Sequence, residues 1–534
     1  PIKSSAASDV YKRQYTSNGQ TTITHPINNS GKEQMISGEW TNIVPWSTEA
    51  PNLYVVKLEL KNPEGKIVQT RETRIGFRTV EFFPQDGVYL NGTKLVIKGI
   101  NRHSFSVDGG RTTNAALSRM DAQLIKEMNM NAVRSHYPPD EHFLDMCDSL
   151  GLVYMDELAG WQNSYDSKVG AKLVKEMIER DVNHPCIILW SNGNEGGWNT
   201  QTDPLFAQYD RLQKRHMVHP WADFNELDTH HYPTYLTGVA RFTNGYKVFM
   251  PTEFMHAMYD QGGGAGLRDF WDRWCTNPLF AGGFIWVYCD EAPKRSDKGG
   301  ILDSDKSNAP DGVVGPRREK EGSYYAIRAQ WSPIQLKPLL ITNHFDGSFL
   351  LTNEYTFTNL KDCRMSYKVL TCGTPLQGNT ETGKVIAEGG VQLPSINPGE
   401  TGTARFELPD SFREGDILEL EAFDKEGKSI CNWTYPIHLV KRYFERKLTQ
   451  AAPTPAPPKA EARQTADAIE LKSSKVCVTF DAATGMIRHI TSGETEVPFK
   501  DGPVAVGMKM RYEPSLSYTR HSSDGAIYLS LIHI

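Results

Sequence analysis

The chain has 534 residues, 39% of them hydrophobic and 23% charged, with a formal net charge of −6. That length exceeds what one hydrophobic core organises, so several domains are expected. The mild acidity offers no attraction to nucleic acid or anionic lipid, and no apolar run is long enough to span a bilayer, so nucleic-acid and membrane partners are not expected.

The first fourteen residues are polar and lack the apolar core of a signal peptide. With the abrupt end at Leu531–Ile534, they read as non-native flanks of a frame truncated at both ends. Residues 1–82 predict a partial immunoglobulin-like β-sandwich. Tyr54, Val56, Leu58 and Leu60 alternate with Lys57 and Glu59, and Asn62-Pro63-Glu64-Gly65 supplies a turn.

Residues 83–338 alternate apolar strands with amphipathic helices. Leu95-Val96-Ile97 precedes a helix over Ser118–Met130, where Ser118 and Asp121 resemble a capping box. Val133, Leu152–Met155, Cys186–Trp190, Val248–Met250 and Gly283–Tyr288 are further strands, and Tyr324–Trp331 is a closing helix. Repeated β-α units over about 250 residues fit a (β/α)₈ TIM barrel. A doubly wound sheet is the alternative, but no G-x-G-x-x-G opens a helix.

Residues 339–445 return to strand alternation and predict a second β-sandwich. A Pro/Ala-rich linker occupies 446–466, with Ala451–Pro458 its core, and 467–534 begin a truncated β-supersandwich domain. The expected architecture is multidomain, a TIM barrel flanked by immunoglobulin-like sandwiches. Among eight scattered cysteines no C-x-x-C pair occurs, and Cys186 and Cys289 fall in or beside apolar strands as buried thiols.

A (β/α)₈ barrel places its active site where the strands end, so polar residues just after apolar runs are the candidates. They are Asn101-Arg102-His103, Ser135-His136, Asp156-Glu157, Ser191 to Glu195, Thr252-Glu253 and Asp290-Glu291. Two carboxylates ending different strands suit glycoside hydrolysis, in which one protonates the leaving oxygen and the other attacks carbon or activates water.

The motif Trp190-Ser191-Asn192-Gly193-Asn194-Glu195 resembles the W-S-L-G-N-E acid/base segment of glycoside hydrolase family 2. Thr252-Glu253-Phe254-Met255-His256-Ala257-Met258 is similar to the nucleophile segment of the β-galactosidase type. Lys98–His103, Asn131–Pro138, Arg180–Pro185, Trp46–Tyr54 and Gly76–Arg78 resemble further family segments in the same order, over about residues 20 to 520.

The resemblance implies a retaining exo-β-glycosidase, foremost a β-galactosidase, with Glu195 as acid/base and Glu253 as nucleophile. It implies that Asn194 bonds the sugar 2-OH, that His103, His136, Tyr232 and His256 face substrate, and that Trp286 is a platform for the sugar ring. Arg102 is expected to orient the nucleophile and Asp156 to support the site, with Glu157 evenly balanced between site and scaffold. Glu195 is expected to need a raised pKa while Glu253 stays ionised.

The run Asp156–Trp161 lacks the Glu-x-His that carries magnesium in family members, so no cofactor is expected. Adjacent His230 and His231 point apart in an extended segment, against a shared metal. After Trp286 the chain departs from W-D-W-V-D-Q, and Lys294-Arg295 offer a cationic loop for an acidic sugar. β-Glucuronides, β-mannosides or modified galactosides are therefore the alternative substrates, although the glucuronidase N-K-G is not evident. A decayed glycan-binding protein is the alternative of another class. The resemblance also points to export to the periplasm or beyond, with the cytoplasm as the alternative compartment, and to sandwich surfaces suited to a homo-oligomer. No segment corresponds to the N-terminal jelly roll that it implies.

Overall fold

The computed structural model describes residues 42–235, 245–256, 264, 266–303, 310–337, 339–373, 383–439, 441, 445 and 459–497, with the backbone of Tyr11–Gln14 and Thr22–His25. The Ala451–Pro458 linker lies outside them.

Strands Tyr54–Lys61 and Ile67–Ile75 pair antiparallel, and Tyr11–Gln14 and Thr22–His25 extend the same sheet. The alternation has its expected consequence: Tyr54, Val56 and Leu60 are buried and Val55 is exposed. The small core gathers Ile43, Leu58, Ile75 and Phe77 around Tyr54 and Val56.

The barrel strands follow in sequence: β1 (Ile97–Asn101), β2 (Ala132–Arg134), β3 (Val153–Trp161), β4 (Ile187–Asn194), β5 (His216–Val218), β6 (Leu227–Asp228), β7 (Val248–Phe249) and β8 (Gly282–Ile285). One parallel sheet runs β5-β4-β3-β2-β1-β8. Strand β6 pairs parallel with β7, and a parallel bridge from Phe249 to Phe280 carries the ring on to β8. Across the β5–β6 seam, His216 Nε2 donates to the Asn225 carbonyl (2.7 Å), and Asn225 Nδ2 donates to that of Met217 (3.0 Å). Every residue of β4 is buried, as its unbroken apolar start requires when both faces are covered.

The strands are wrapped by α1 (Ala115–Glu127), α2 (Glu141–Leu150), α3 (Ser167–Asp181), α4 (Asp203–Tyr209), α5 (Leu267–Trp274) and α6 (Gly322–Gln330). Helix α1 starts earlier than expected. Asn114 is its N-cap, accepting from Leu117 N, and the proposed box residues Ser118 and Asp121 lie buried within the helix. Asp121 there binds two arginines, which a capping residue in solvent would not do.

A second sandwich follows within the same compact unit. One sheet pairs Ile334–Leu336, Ser348–Asn353 and Thr401–Arg405, and the other pairs Lys384–Gln392, Arg364–Thr371, Ile417–Phe423 and Ser429–Pro436. Phe349, Leu351, Met365, Val369, Leu418 and Leu420 fill the space between them. It is fastened to earlier parts of the chain by half-buried polar groups. The Glu49 carboxylate accepts from the backbone N–H groups of Thr356, Phe357 and Thr358 at 2.7, 3.0 and 2.8 Å. Asn129 Nδ2 reaches the carbonyls of Arg328 and Ile430. A separate unit holds an antiparallel meander of five strands from Glu461 to Val497.

Candidate active site

At the ends of β1 to β4 and β6 to β8, the side chains that point inward meet around Arg134. Strand alternation explains which ones arrive. Arg134 and His136 share one face of the segment that ends β2, as Asn101 and His103 share one face at the end of β1. The Arg134 guanidinium is fully buried. It donates to Glu253 Oε1 (2.9 Å), Asn101 Oδ1 (2.9 Å), Asn194 Oδ1 (2.6 Å) and Glu157 Oε2 (3.0 Å).

Glu253 is buried at the end of β7 and also receives His136 Nε2 at 2.8 Å and the Tyr232 hydroxyl at 2.5 Å. Burial alone would raise its pKa. His231, His136 and Arg134 outweigh that and hold Glu253 well below the usual carboxylate value. Burial also lowers His136 to about 4, so it is neutral and donates from Nε2, leaving Nδ1 buried without a protein partner. Glu157 accepts from Ser191 Oγ (2.8 Å) as well as from Arg134, yet burial pushes it up to about 7.

Glu195 follows β4 with φ of +46°, between Gly193 and Gly196, both also at positive φ. A non-glycine residue held there is strained, a condition that clusters at functional sites. Its Oε1 meets His231 Nδ1 at 3.0 Å, and its Oε2 accepts from Trp161 Nε1 at 2.9 Å. Oxygens of Glu195 and Glu253 and a nitrogen of His231 all lie within 4.8 Å of one another.

The expected raised pKa is not what the free site provides. Burial does raise Glu195, but the His231 and Trp161 hydrogen bonds outweigh it and leave the group below its ordinary value. That effect of His231 needs a proton on Nδ1. Thr252 Oγ1 donates to the Thr229 carbonyl (3.2 Å), and so accepts from His231 Nε2 (2.8 Å). A neutral His231 therefore keeps its proton on Nε2 and turns a lone pair towards Glu195.

The deep wall is aromatic. Trp286 lies 5.2 Å from His136, 5.6 Å from His103 and 6.1 Å from His256, ring centre to ring centre. Tyr137 hydroxyl meets His103 Nδ1 at 3.1 Å. Asp311 closes this end, accepting from Trp286 Nε1 at 2.9 Å with His256 Nε2 at 3.4 Å. Burial raises Asp311 to about 6.

Glu195, Glu253, Asn194, His103, His136, Tyr232, His256 and Trp286 thus come together. Two expected residues do not. Arg102, on the opposite face of the β1 end from Asn101, donates to Asp121 of α1 (2.9 and 2.8 Å) and lies over the Phe143 ring, so Arg134 orients Glu253 instead. Asp156 alternates with Glu157 and faces outward to α3. There burial and the neighbouring Asp181 push its carboxyl far up.

The Lys294-Arg295 loop is internally neutralised: Arg295 pairs with Asp297 (2.7 Å) and Asp303 (2.5 Å), and Lys294 is 3.8 Å from Asp108. Glu157, evenly balanced between site and scaffold from sequence, falls in the site through Arg134. Arg134, His231 and Trp161 carry no expectation as site residues from sequence, although Arg134 sits inside the Asn131–Pro138 motif. Among the described residues the other cluster of metal-ligating atoms is Asp148, His184 and Cys186, before β4. Its Asp148 oxygens are taken by His184 Nδ1 (2.6 Å) and the Cys186 N–H (3.0 Å), a structural hydrogen-bond set rather than a metal cradle.

A TIM barrel ending two strands in facing carboxylates has the architecture of a glycoside hydrolase. Family comparison agrees: residues 84–302 match the TIM barrel domain of glycosyl hydrolases family 2, residues 3–78 another family 2 domain, and residues 349–432 domain 4 of beta-galactosidase. The chain belongs to glycosyl hydrolase family 2.

It is 27% identical over 454 residues to beta-galactosidase BgaC of Bifidobacterium adolescentis, covering 76% of this chain and 41% of that protein. It is 29% identical over 459 residues to a beta-galactosidase of Priestia megaterium, covering 75% and 43%. The matches thus span less than half the length of these relatives. In fold it is similar to a beta-glucuronidase of Parabacteroides merdae, with a TM-score of 0.54 and 16% identity over 91% of this chain and 65% of that one.

Proposed function

We propose that this chain is the catalytic part of a retaining exo-β-glycosidase that hydrolyses terminal β-D-galactosyl residues. The observation that carries the mechanism is the approach of one oxygen of Glu195 and one of Glu253 to within 4.8 Å of each other. Retaining enzymes hold the pair about 5–5.5 Å apart, whereas an inverting site needs a gap of about 6.5–9.5 Å for water. In the first step a Glu253 oxygen bonds to the anomeric carbon. The bond from that carbon to the leaving oxygen breaks, and Glu195 gives the oxygen its proton. In the second, Glu195 takes a proton from water as the water oxygen attacks the same carbon and releases Glu253.

The surrounding residues fit these roles. Arg134 keeps Glu253 ionised and occupies the Asn194 carbonyl oxygen, so the Asn194 amide nitrogen is the group available to the sugar 2-OH. Neutralisation of Glu253 by the glycosyl bond removes a charge that opposes ionisation of Glu195, which suits the switch from acid to base.

The beta-galactosidase relatives support galactose as the sugar. A uronic acid is disfavoured by Asp311 at the deep wall and by the self-neutralised Arg295 loop. The test is a panel of aryl β-glycosides assayed with the full chain and its Glu253→Gln variant. Galactoside turnover lost by about 10³-fold or more in the variant is expected, since the covalent step has no other nucleophile. Turnover of uronides alone would reassign the sugar, and a well-folded chain that binds galactose but cleaves nothing would favour the glycan-binding reading.

A further inference from the structure

The acid side of the site carries two exposed indoles that the two chemical steps do not use. Trp161 ends β3 with 65% of its surface exposed, although its Nε1 donates to Glu195. Trp221 is 44% exposed and lies 6.2 Å from His231, ring centre to ring centre, with the planes 23° apart. One indole therefore touches Glu195 Oε2 directly, and the other lies behind the histidine that meets Oε1.

Their positions are built rather than incidental. Trp161 is held in register with Asn194 across the β3–β4 ladder. Beside it, a Cβ on Gly160 would stand 2.3 Å from the Gly197 carbonyl oxygen, and one on Gly193 would also stand 2.3 Å from it. The end of β3 and the loop carrying Glu195 thus touch backbone to backbone, a closeness that only glycine allows. Trp221 is held at φ of +76°, a conformation uncommon for a bulky residue.

The leaving oxygen must sit beside Glu195 to take its proton. Whatever that oxygen carries extends away from Glu253 and towards the rim, where these indoles stand. We propose that Trp161, together with Trp221, forms a leaving-group subsite that stacks a second pyranose ring, so that the substrate is a β-linked di- or oligosaccharide rather than a simple alkyl or aryl glycoside. This rests on the hydrolase reading above. Indole faces supply the broad apolar contact that the C–H face of a pyranose matches, while the ring hydroxyls stay in water.

Two substrates separate stacking from chemistry. β-Galactosyl fluoride has a small leaving group that needs no proton, whereas lactose needs both the proton and the subsite. Trp161→Ala is expected to lower kcat/KM on lactose at least tenfold more than on the fluoride. Trp161→Phe keeps an aromatic face but loses the donor to Glu195, so it should recover most of the lactose loss. Both Trp161 variants should shift the basic limb of the pH profile upward, because the lost hydrogen bond is one that lowers Glu195. Trp221→Ala, which removes no contact to Glu195, should lower lactose turnover without moving the pH profile.

Equal losses on both substrates in Trp161→Ala, or a Phe variant no better than Ala, overturn the proposal. Binding tests it apart from turnover. The wild-type chain should bind lactose at least tenfold more tightly than galactose by calorimetry, and Trp161→Ala should lose that advantage. Equal binding by the wild type refutes the subsite, whereas selective binding with no cleavage of the fluoride refutes the hydrolase reading and keeps the subsite.

Discussion

Replacing Arg134 with Met removes the one cation shared by Glu253 and Glu157 while keeping the side chain long and apolar. Both carboxylates and the guanidinium are buried, with the Arg134–Glu157 and Arg134–Glu253 contacts each at 2.9 Å. Breaking a buried pair by deleting one partner costs about 3–5 kcal/mol, because a charge is left without compensation. The loss depends on pH in a defined sense. Glu157 is raised to about 7, so its neutral form is the one that the fold favours, and the demand for a partner appears as pH rises through that value. Glu253 is depressed, so its contribution exists above the unfolded carboxylate pKa and is lost only as pH falls below it. At pH 8 both carboxylates need Arg134, and the variant should lose about 3–5 kcal/mol. At pH 5 Glu157 is already protonated, and the loss should fall to about half of that. Denaturant unfolding followed by tryptophan fluorescence at the two pH values measures this. The acidic limb of kcat/KM should also move up as Glu253 becomes easier to protonate. A loss below about 1 kcal/mol at both pH values, or one of equal size, would refute the reasoning.

Gly160→Ala should destabilise the chain by about 1–3 kcal/mol in thermal unfolding and lower kcat/KM, because the added carbon meets the Gly197 backbone rather than a movable side chain. Asp156→Asn should leave kcat/KM within about threefold, since Asp156 faces α3. It should also remove the fall in stability seen as pH rises through the elevated Asp156 value. Asp311→Asn should raise the ratio of galacturonide to galactoside kcat/KM by about tenfold, the size of one lost like-charge contact. In the wild type that ratio should climb as pH falls below about 6 and Asp311 protonates.

The carboxylate pair was legible because Glu195 and Glu253 directly follow apolar strands, which puts them at the catalytic face of any barrel. Arg102 illustrates where the reading stopped. It stands in a strand-end motif just as Arg134 does, and motif membership does not say which face a residue takes. The period of two does: counting from Asn101 and His103, Arg102 must face α1, and from His136, Arg134 must face the centre. The same count separates Glu157 from Asp156. Other features left no local signal. β6 is two residues long, too short for any periodicity to register, whereas the apolar run Val248–Met250 marks the equally short β7. Strand β3 runs on through Leu158-Ala159-Gly160-Trp161, where glycine and alanine hide a strand that is fixed by its pairing with β4. The hydrogen bond that His231, from the segment after β6, makes to Glu195 is a contact across 36 positions that no local pattern encodes.

The Glu49 carboxylate bears on how the chain is made as well as on how it stands. Its first partner, the Thr356 N–H, lies 307 positions further on. At about 5–20 residues per second, roughly 15–60 s of synthesis separate the emergence of the charge from the emergence of the donors that satisfy it. The barrel imposes a similar wait, since β1 cannot find its second neighbour until β8 has been translated. The early strands must therefore spend that interval with open edges, and the Glu49 carboxylate stays in water. The first half of the chain should consequently depend on chaperones during synthesis, and ribosome-bound chains ending before Thr356 should be cut by protease at sites that the finished chain protects.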